Sequence, residues 1–293
     1  MPQRKLVGKS GVTPCKHFLL DKLIGRECGV FTNSGFMRSY NIIDLTAGDG
    51  VAPNGEFSKR CSPGIALGHI DWLNEKSVVG DFRYMAIEKQ PETYEKLVSN
   101  CDQRIGQSWA RAKGESIYTA KNKNCTIELI NGDSTEIVYP LLENNYGKND
   151  GVFIYNDPNH VKDWCITRDM LVTLPPLTTS LSTLGCNVGG LKRLSRETRQ
   201  QWFERVDLVT RFLMKDWHDA CLFSLGGADQ WAYLITAPAR WRDKVTAECL
   251  NAAKKVEGRV VDPEIFWYRQ NRDSFKRLQD YLFLTKKENE VAV

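Results

Sequence analysis

The side chains of this chain best placed to do chemistry are acids that stand directly after apolar runs. Tyr40-Asn41-Ile42-Ile43-Asp44 is such a run, and Leu45-Thr46-Ala47-Gly48-Asp49-Gly50 follows it with two glycines one residue apart. A buried parallel strand turning into a ligand loop has this form, because glycine lets backbone approach a ligand closely. A dinucleotide site would want a third glycine and a helix start free of carboxylates, since it must hold a pyrophosphate. Here Pro53 takes the third place, and both Asp44 and Asp49 are acids. Carboxylates at this turn repel a diphosphate and attract the ammonium and sulfonium charges of S-adenosylmethionine. The loop therefore reads as a cationic-cofactor site, with Asp44, Ala47, Gly48, Asp49 and Gly50 as its candidates.

Three further acids repeat the pattern: Glu88 in Met85-Ala86-Ile87-Glu88-Lys89, Asp133 in Asn131-Gly132-Asp133-Ser134, and Asp157 in Asn156-Asp157-Pro158-Asn159-His160. Alone, Glu88 also reads as a solvated strand-end charge, Asp133 as a helix N-cap, and Asp157-Pro158 as a strand end capping a helix near Lys162. Their recurrence in order, each just past an apolar strand, favours a shared site.

The elements that must position these acids follow from periodicity. Apolar spacing predicts a helix from Lys16 to Ile24, strands at Tyr40–Asp44, Arg83–Glu88, Cys125–Ile130, Gly151–Asn156 and Leu177–Leu184, and helices over Pro91–Asn100 and Glu197–Lys215. Ala220–Leu225 and Gln230–Ala237 read as a hairpin across Gly226-Gly227-Ala228-Asp229. Five strands alternating with helices and a late hairpin give a doubly wound, seven-stranded, mostly parallel α/β sheet, in which ligands sit beyond the carboxyl ends of the strands. The expected organisation is a basic arm and helical lead-in over 1–40, a central domain over 41–238, and a helical C-terminal extension over 239–293.

The glycine loop and the strand-end acids resemble the motifs of class I S-adenosylmethionine-dependent methyltransferases, whose Rossmann-like sheet carries an inserted antiparallel strand near its end. The resemblance implies that Glu88 bonds the ribose hydroxyls and that Asp133 bonds or lies beside the adenine amino group. A closer match, from about Lys16 to Leu194, is similar to the three-Cys-motif partner proteins. It is carried by Ile43 to Gly50, Cys61-Ser62-Pro63, Ile87-Glu88-Lys89, Gly132-Asp133, Asn156-Asp157-Pro158 and Asn187 to Arg193. Thr46 and Asp49 replace the usual aromatic and proline of that family, and Asn159-His160 replaces its aromatic-glycine.

Asn156 to His160 also resembles, in part, the Asp/Asn-Pro-Pro-aromatic motif of enzymes that methylate exocyclic amino groups of nucleobases. The resemblance implies catalytic roles for Asp157, Pro158 and His160: the Asp157 side chain and a backbone carbonyl accept the amino protons while a ring stacks on an unstacked base. The second proline is missing. Asn156 and Asn159, with Asn187, Lys192, Arg193 and Arg196 from the basic loop after the fifth strand, are substrate-binding candidates. Arg240-Trp241-Arg242 and Phe266-Trp267-Tyr268-Arg269 interleave cations with rings, as nucleic-acid surfaces do and as ordinary packing also does.

A chain of 293 residues with 42% hydrophobic and 26% charged residues is globular, and its net charge of +4 admits DNA or RNA as a partner without requiring it. Nine cysteines without a Cys-x-x-Cys pair read as reduced, buried thiols rather than metal ligands, which suits the cytoplasm. Neither an apolar leader nor a membrane-length apolar run is seen. The expectation is an S-adenosylmethionine-dependent methyltransferase of a nucleobase amino nitrogen. The rivals are a small-molecule or protein methyltransferase and a non-catalytic binding module of the same fold.

Overall fold

The run Ser39–Asp44 forms strand β1, and every residue from Tyr40 to Asp44 is buried, as suits a strand covered on both faces. The computed structural model describes residues 13–50, 61–76, 78–157, 170–184, 198, 201, 204, 218–225, 232–256 and 260–268. Around β1 the chain builds α1 (Thr13–Ser34), α2 (Ser62–Glu75), β2 (Asp81–Glu88), α3 (Pro91–Arg104), β3 (Ala110–Lys113), β4 (Ile117–Asn122) and β5 (Cys125–Asn131). It continues with α4 (Ser134–Asn145), β6 (Asp150–Asn156), β7 (Leu177–Leu184), β8 (His218–Ser224), β9 (Ala232–Pro238), α5 (Arg242–Ala253) and β10 (Glu264–Tyr268).

All ten strands form one sheet in the order β10-β8-β9-β7-β6-β1-β2-β5-β4-β3. The run β5-β2-β1-β6-β7 is parallel, and β9 lies antiparallel between β7 and β8. The chain winds outward from β1 through β2 to β5, then returns to β6 on the other side of β1. That reversal places a topological switch point at the carboxyl end of β1. The doubly wound α/β class, with its late inserted antiparallel strand, is as the sequence predicts.

Alternating side chains feed two cores. One face, under α1, α2, α3 and α5, gathers Tyr40, Ile42, Phe82, Tyr84, Phe153, Tyr155, Phe223 and Tyr233. The other, with Val138 and Leu142 of α4 and the segment 170–174, gathers Ile43, Leu45, Ile87, Val152 and Ile154. Fully burying each of the aliphatic and phenylalanine side chains stabilises by roughly 1.5–3 kcal/mol relative to exposure.

The sheet has ten strands where seven were expected. β3 and β4 form a hairpin that extends the β5 edge. β3 hides from an apolar-pattern reading because all four of its residues are exposed. Its cations instead reach α3: Arg111 pairs with Asp102, Lys113 pairs with Glu95, and Tyr118 of β4 donates to Asp102 at 2.7 Å. Charged edges of this kind discourage further strand pairing. The third extra strand, β10, falls in the stretch expected to be helical and pairs antiparallel with β8. The turn Gly226 to Asp229 lies outside the described residues, as does nearly all of the helix expected over Glu197–Lys215.

Candidate active site

In register, Asp44 stands opposite Ala86 of β2 and Tyr155 of β6. Glu88 and Asp157 therefore sit two residues farther on, one on each side of the loop that leaves β1. Backbone hydrogen bonds fasten the loop on both flanks: Leu45 N–H donates to the Tyr155 carbonyl at 2.9 Å and Ala47 N–H to the Ile87 carbonyl at 3.1 Å. Gly48 and Gly50 have φ of +66° and +74°, a backbone that glycine adopts without the clash other residues meet. A Cβ on Gly48 would meet nothing within 4 Å, so the loop is open above this position.

The acids of the loop differ in environment. Thr46 N–H donates to Asp44 Oδ1 at 3.1 Å, while Oδ2 is buried and takes no hydrogen bond. The Ser62 and Tyr84 hydroxyls lie beside this carboxyl. Burial pushes its pKa up to about 7, and the Asp157 and Glu88 charges add to the rise. Glu88 takes Gly48 N–H at 3.0 Å on one oxygen and Gln90 N–H at 2.8 Å on the other. Each carboxylate oxygen has a second lone pair, so Glu88 shapes the loop and still accepts from a ligand hydroxyl. Asp49 is half-buried; its carbonyl accepts from the Asn100 amide at 2.8 Å, and the Gly50 carbonyl accepts from the Cys61 thiol at 3.0 Å. Cys61 also caps α2, accepting from Gly64 N–H at 3.4 Å.

Asp133 ends up doing what its alternative reading described. It is the N-cap of α4, its Oδ1 accepting from Thr135 N–H at 3.0 Å and from the Thr135 hydroxyl at 2.8 Å, while Oδ2 pairs with Lys89. The Lys89 contact is the largest cause holding its pKa below the usual aspartate value. Its strand end is nonetheless bound to the site, since Gly132 N–H donates to the Glu88 carbonyl at 3.1 Å.

Asp157 is tied into the glycine loop. Its N–H donates to Thr46 Oγ1 at 2.8 Å, and its carboxylate pairs with Lys16 of α1. The Tyr155 phenol beside it is buried and held well above the usual tyrosine pKa, with burial the main cause and the Asp157 charge next. Asn156, the last residue of β6, is fully buried. Thus Asp44, Ala47, Gly48, Asp49, Gly50, Glu88 and Asp157 gather at one rim, with Asp133 on the next strand end. Pro158, Asn159, His160, Asn187, Lys192, Arg193 and Arg196 lie outside the described residues.

Thr46 and Lys16 escaped sequence reasoning. The trace of Lys16 is its place on the apolar stripe of α1, in line with Leu20, Leu23 and Glu27 at helical spacing. A charged residue on such a stripe must meet a partner. Glu27 behaves likewise: it is buried, accepts from the Tyr40 hydroxyl at 3.3 Å, and burial pushes its pKa up to about 7.

Of the rings flanked by cations, Trp241 and Trp267 pack inward. Trp241 is buried, with Arg26 and Arg240 at 4.9 and 5.6 Å from its ring, and Trp267 carries Arg242 at 5.2 Å while its indole N–H donates to Thr246 at 2.8 Å. These rings serve the packing of α1, α5 and β10 rather than an open stacking surface. Among the described residues, no cluster of His, Cys, Asp or Glu could hold a metal ion, and no helix is long and apolar enough to cross a membrane.

No family model matches the chain, and no curated protein matches it by sequence. Solved structures do. Trm1 from Pyrococcus horikoshii, in complex with S-adenosyl-L-methionine, is 10% identical with a TM-score of 0.47; the match covers 81% of this chain and only 58% of that one. The O-methyltransferase TomG from Streptomyces achromogenes, in complex with SAM, is 13% identical over 76% of this chain and 79% of that one, TM-score 0.39. An O-methyltransferase from Bacillus cereus, in complex with SAH, is 11% identical over 80% and 93%, TM-score 0.38. The strand order, not these likenesses, identifies the fold.

Proposed function

We propose that this chain is an S-adenosylmethionine-dependent methyltransferase that acts on an exocyclic amino nitrogen of a nucleobase in DNA or RNA. The observation that carries the reading is the bond from Asp157 N–H to Thr46 Oγ1, which ties the candidate acceptor motif to the candidate cofactor loop. The residues fit the cofactor: a buried Asp44 oxygen without a partner, an open glycine turn and a strand-end Glu88 suit a ligand with cationic and hydroxyl groups. When bound, that cofactor supplies a methyl group on a positively charged sulfur. Asp44 and Glu88 hold the charge and the ribose hydroxyls, and Asp133 borders the adenine.

Asp157 and the Pro158 carbonyl accept the two amino protons of the target base, which directs the nitrogen lone pair outward. Rate then comes from positioning, with little need for a general base of matched pKa. His160 stacks on the base, and the Asn187, Lys192, Arg193 and Arg196 loop contacts the phosphate backbone. The cytoplasm, where such thiols stay reduced, is the proposed compartment.

The test is transfer of labelled methyl to mixed DNA and RNA pools, followed by nucleoside identification. Methylated adenine or cytosine amino groups that vanish in Asp157→Ala, while cofactor affinity holds, are the expected result. Label only on protein or small molecules would replace the substrate, and no label despite tight cofactor binding would leave a binding module.

A further inference from the structure

The contact between Lys16 and Asp157 joins residues 141 positions apart, and their side chains are only 13% and 22% exposed. Three acids interact at this rim, since the charges of both Asp157 and Glu88 act on Asp44. Among the described residues, Thr46 fixes the Asp157 backbone, Lys16 fixes its carboxylate through Oδ2, and the Tyr155 phenol lies beside that carboxylate. Removing one partner from a pair this far out of water leaves the other charge uncompensated.

We propose that Lys16 is a positioning residue of the active site, which aims the Asp157 carboxylate at the acceptor and keeps it from serving as a counter-ion to the cationic cofactor. This rests on the methyltransferase reading above. Lys16 already neutralises Asp157, so the cofactor's positive charge is balanced by Asp44 and Glu88, and Asp157 keeps its remaining lone pairs for substrate protons. Without Lys16 the carboxylate lacks its counter-ion and is left to pair with the positive charge that the proposed cofactor brings to this rim. Cofactor binding then tightens while transfer slows. A lysine that merely stapled α1 to the sheet would, when lost, loosen the rim and weaken cofactor binding along with transfer.

The decisive experiment is a calorimetric cycle on the full chain with S-adenosylmethionine, comparing wild type, Lys16→Met, Lys16→Arg, Asp157→Asn and the Lys16→Met/Asp157→Asn double variant. Lys22→Met serves as the surface control, and circular dichroism confirms that each variant is folded. Lys16→Met is expected to bind the cofactor about threefold tighter or more, and the gain disappears in the Asp157→Asn background. In the methyl-transfer assay kcat of Lys16→Met falls at least tenfold, and Lys16→Arg, which retains a cation, recovers most of it. An affinity in Lys16→Met that equals or falls below the control overturns the proposal, as does a gain that survives in the double variant. If Lys16→Met fails to fold, Lys16→Gln takes its place, since the amide can still donate to Asp157 but carries no charge: tighter cofactor binding is again expected, and an affinity at or below the control overturns the proposal. If wild type transfers no methyl to any pool, the proposed reaction fails, while the calorimetric cycle still decides the role of Lys16.

Discussion

Asp44 is taken out of water by the sheet that carries it, and this sets its response to pH. Its folded-state pKa of about 7 lies above the ordinary aspartate value, so the neutral form is favoured in the folded chain. The stability this contributes is complete below about pH 4 and is lost as pH rises through 7. Cofactor binding has the opposite slope, because a cation prefers the carboxylate. Affinity for S-adenosylmethionine should rise up to about tenfold between pH 6 and 8 and level off above, because the ionised fraction of a group with a pKa near 7 grows about tenfold over that range, ~1.4 kcal/mol in all. Calorimetry across that range in wild type and Asp44→Asn checks this, and a slope that persists in the asparagine variant rules Asp44 out as its source. Asp44→Ala and Glu88→Ala should each weaken binding by ~1.5–3 kcal/mol, the worth of a hydrogen bond to a charged group. Both acids were legible from apolar runs that end in a carboxylate. Lys16 was not, since its partner lies 141 residues away.

Among the elements, α4 shows how one side chain can serve a helix and a site together. Asp133 opens α4 as its N-cap, accepting from Thr135 N–H, and Lys89 covers its outer oxygen. Asp133→Ala should cost about 1 kcal/mol of unfolding free energy through the lost cap. The same variant separates the two roles: a melting shift with unchanged cofactor affinity makes Asp133 a cap alone, whereas a matching loss of affinity keeps it beside the adenine. α1 was legible as an amphipathic helix only from Lys16 to Ile24, yet it runs from Thr13 to Ser34. Gly25 and Gly29 interrupt the later apolar pattern, and packing against α2 and α5 sustains the helix where propensity does not.

For the molecule as a whole, the cysteines report how the layers close. Cys15, Cys28, Cys101, Cys125, Cys221 and Cys249 are buried as free thiols, while Cys61 at the start of α2 is half-buried. Brief alkylation of the native protein should therefore label Cys61 ahead of those six, and S-adenosylmethionine should slow that labelling because Cys61 abuts the Gly50 carbonyl. Peptide mass spectrometry gives the order, and equal labelling of Cys221 or Cys249 would show that the α5 layer opens as readily as the rim. Unfolding before alkylation should expose all of them.

What the sequence determined by itself was local: which runs become strands, which side chains alternate into two cores, and which acids stand at strand ends, because period and turn chemistry act over a few residues. Even the class of sheet followed, since strands that alternate with helices have few other ways to bury both faces. The hairpin β3–β4 and the strand β10 were decided by tertiary structure, because their exposed or cation-flanked residues gain order only from a neighbouring strand. Tertiary structure also decided what each acid does. Parallel strands bring residues far apart in the chain side by side, so Gly48 N–H meets Glu88, Lys89 meets Asp133, and Thr46 and Lys16 meet Asp157 only once β2, β5 and β6 are laid around β1.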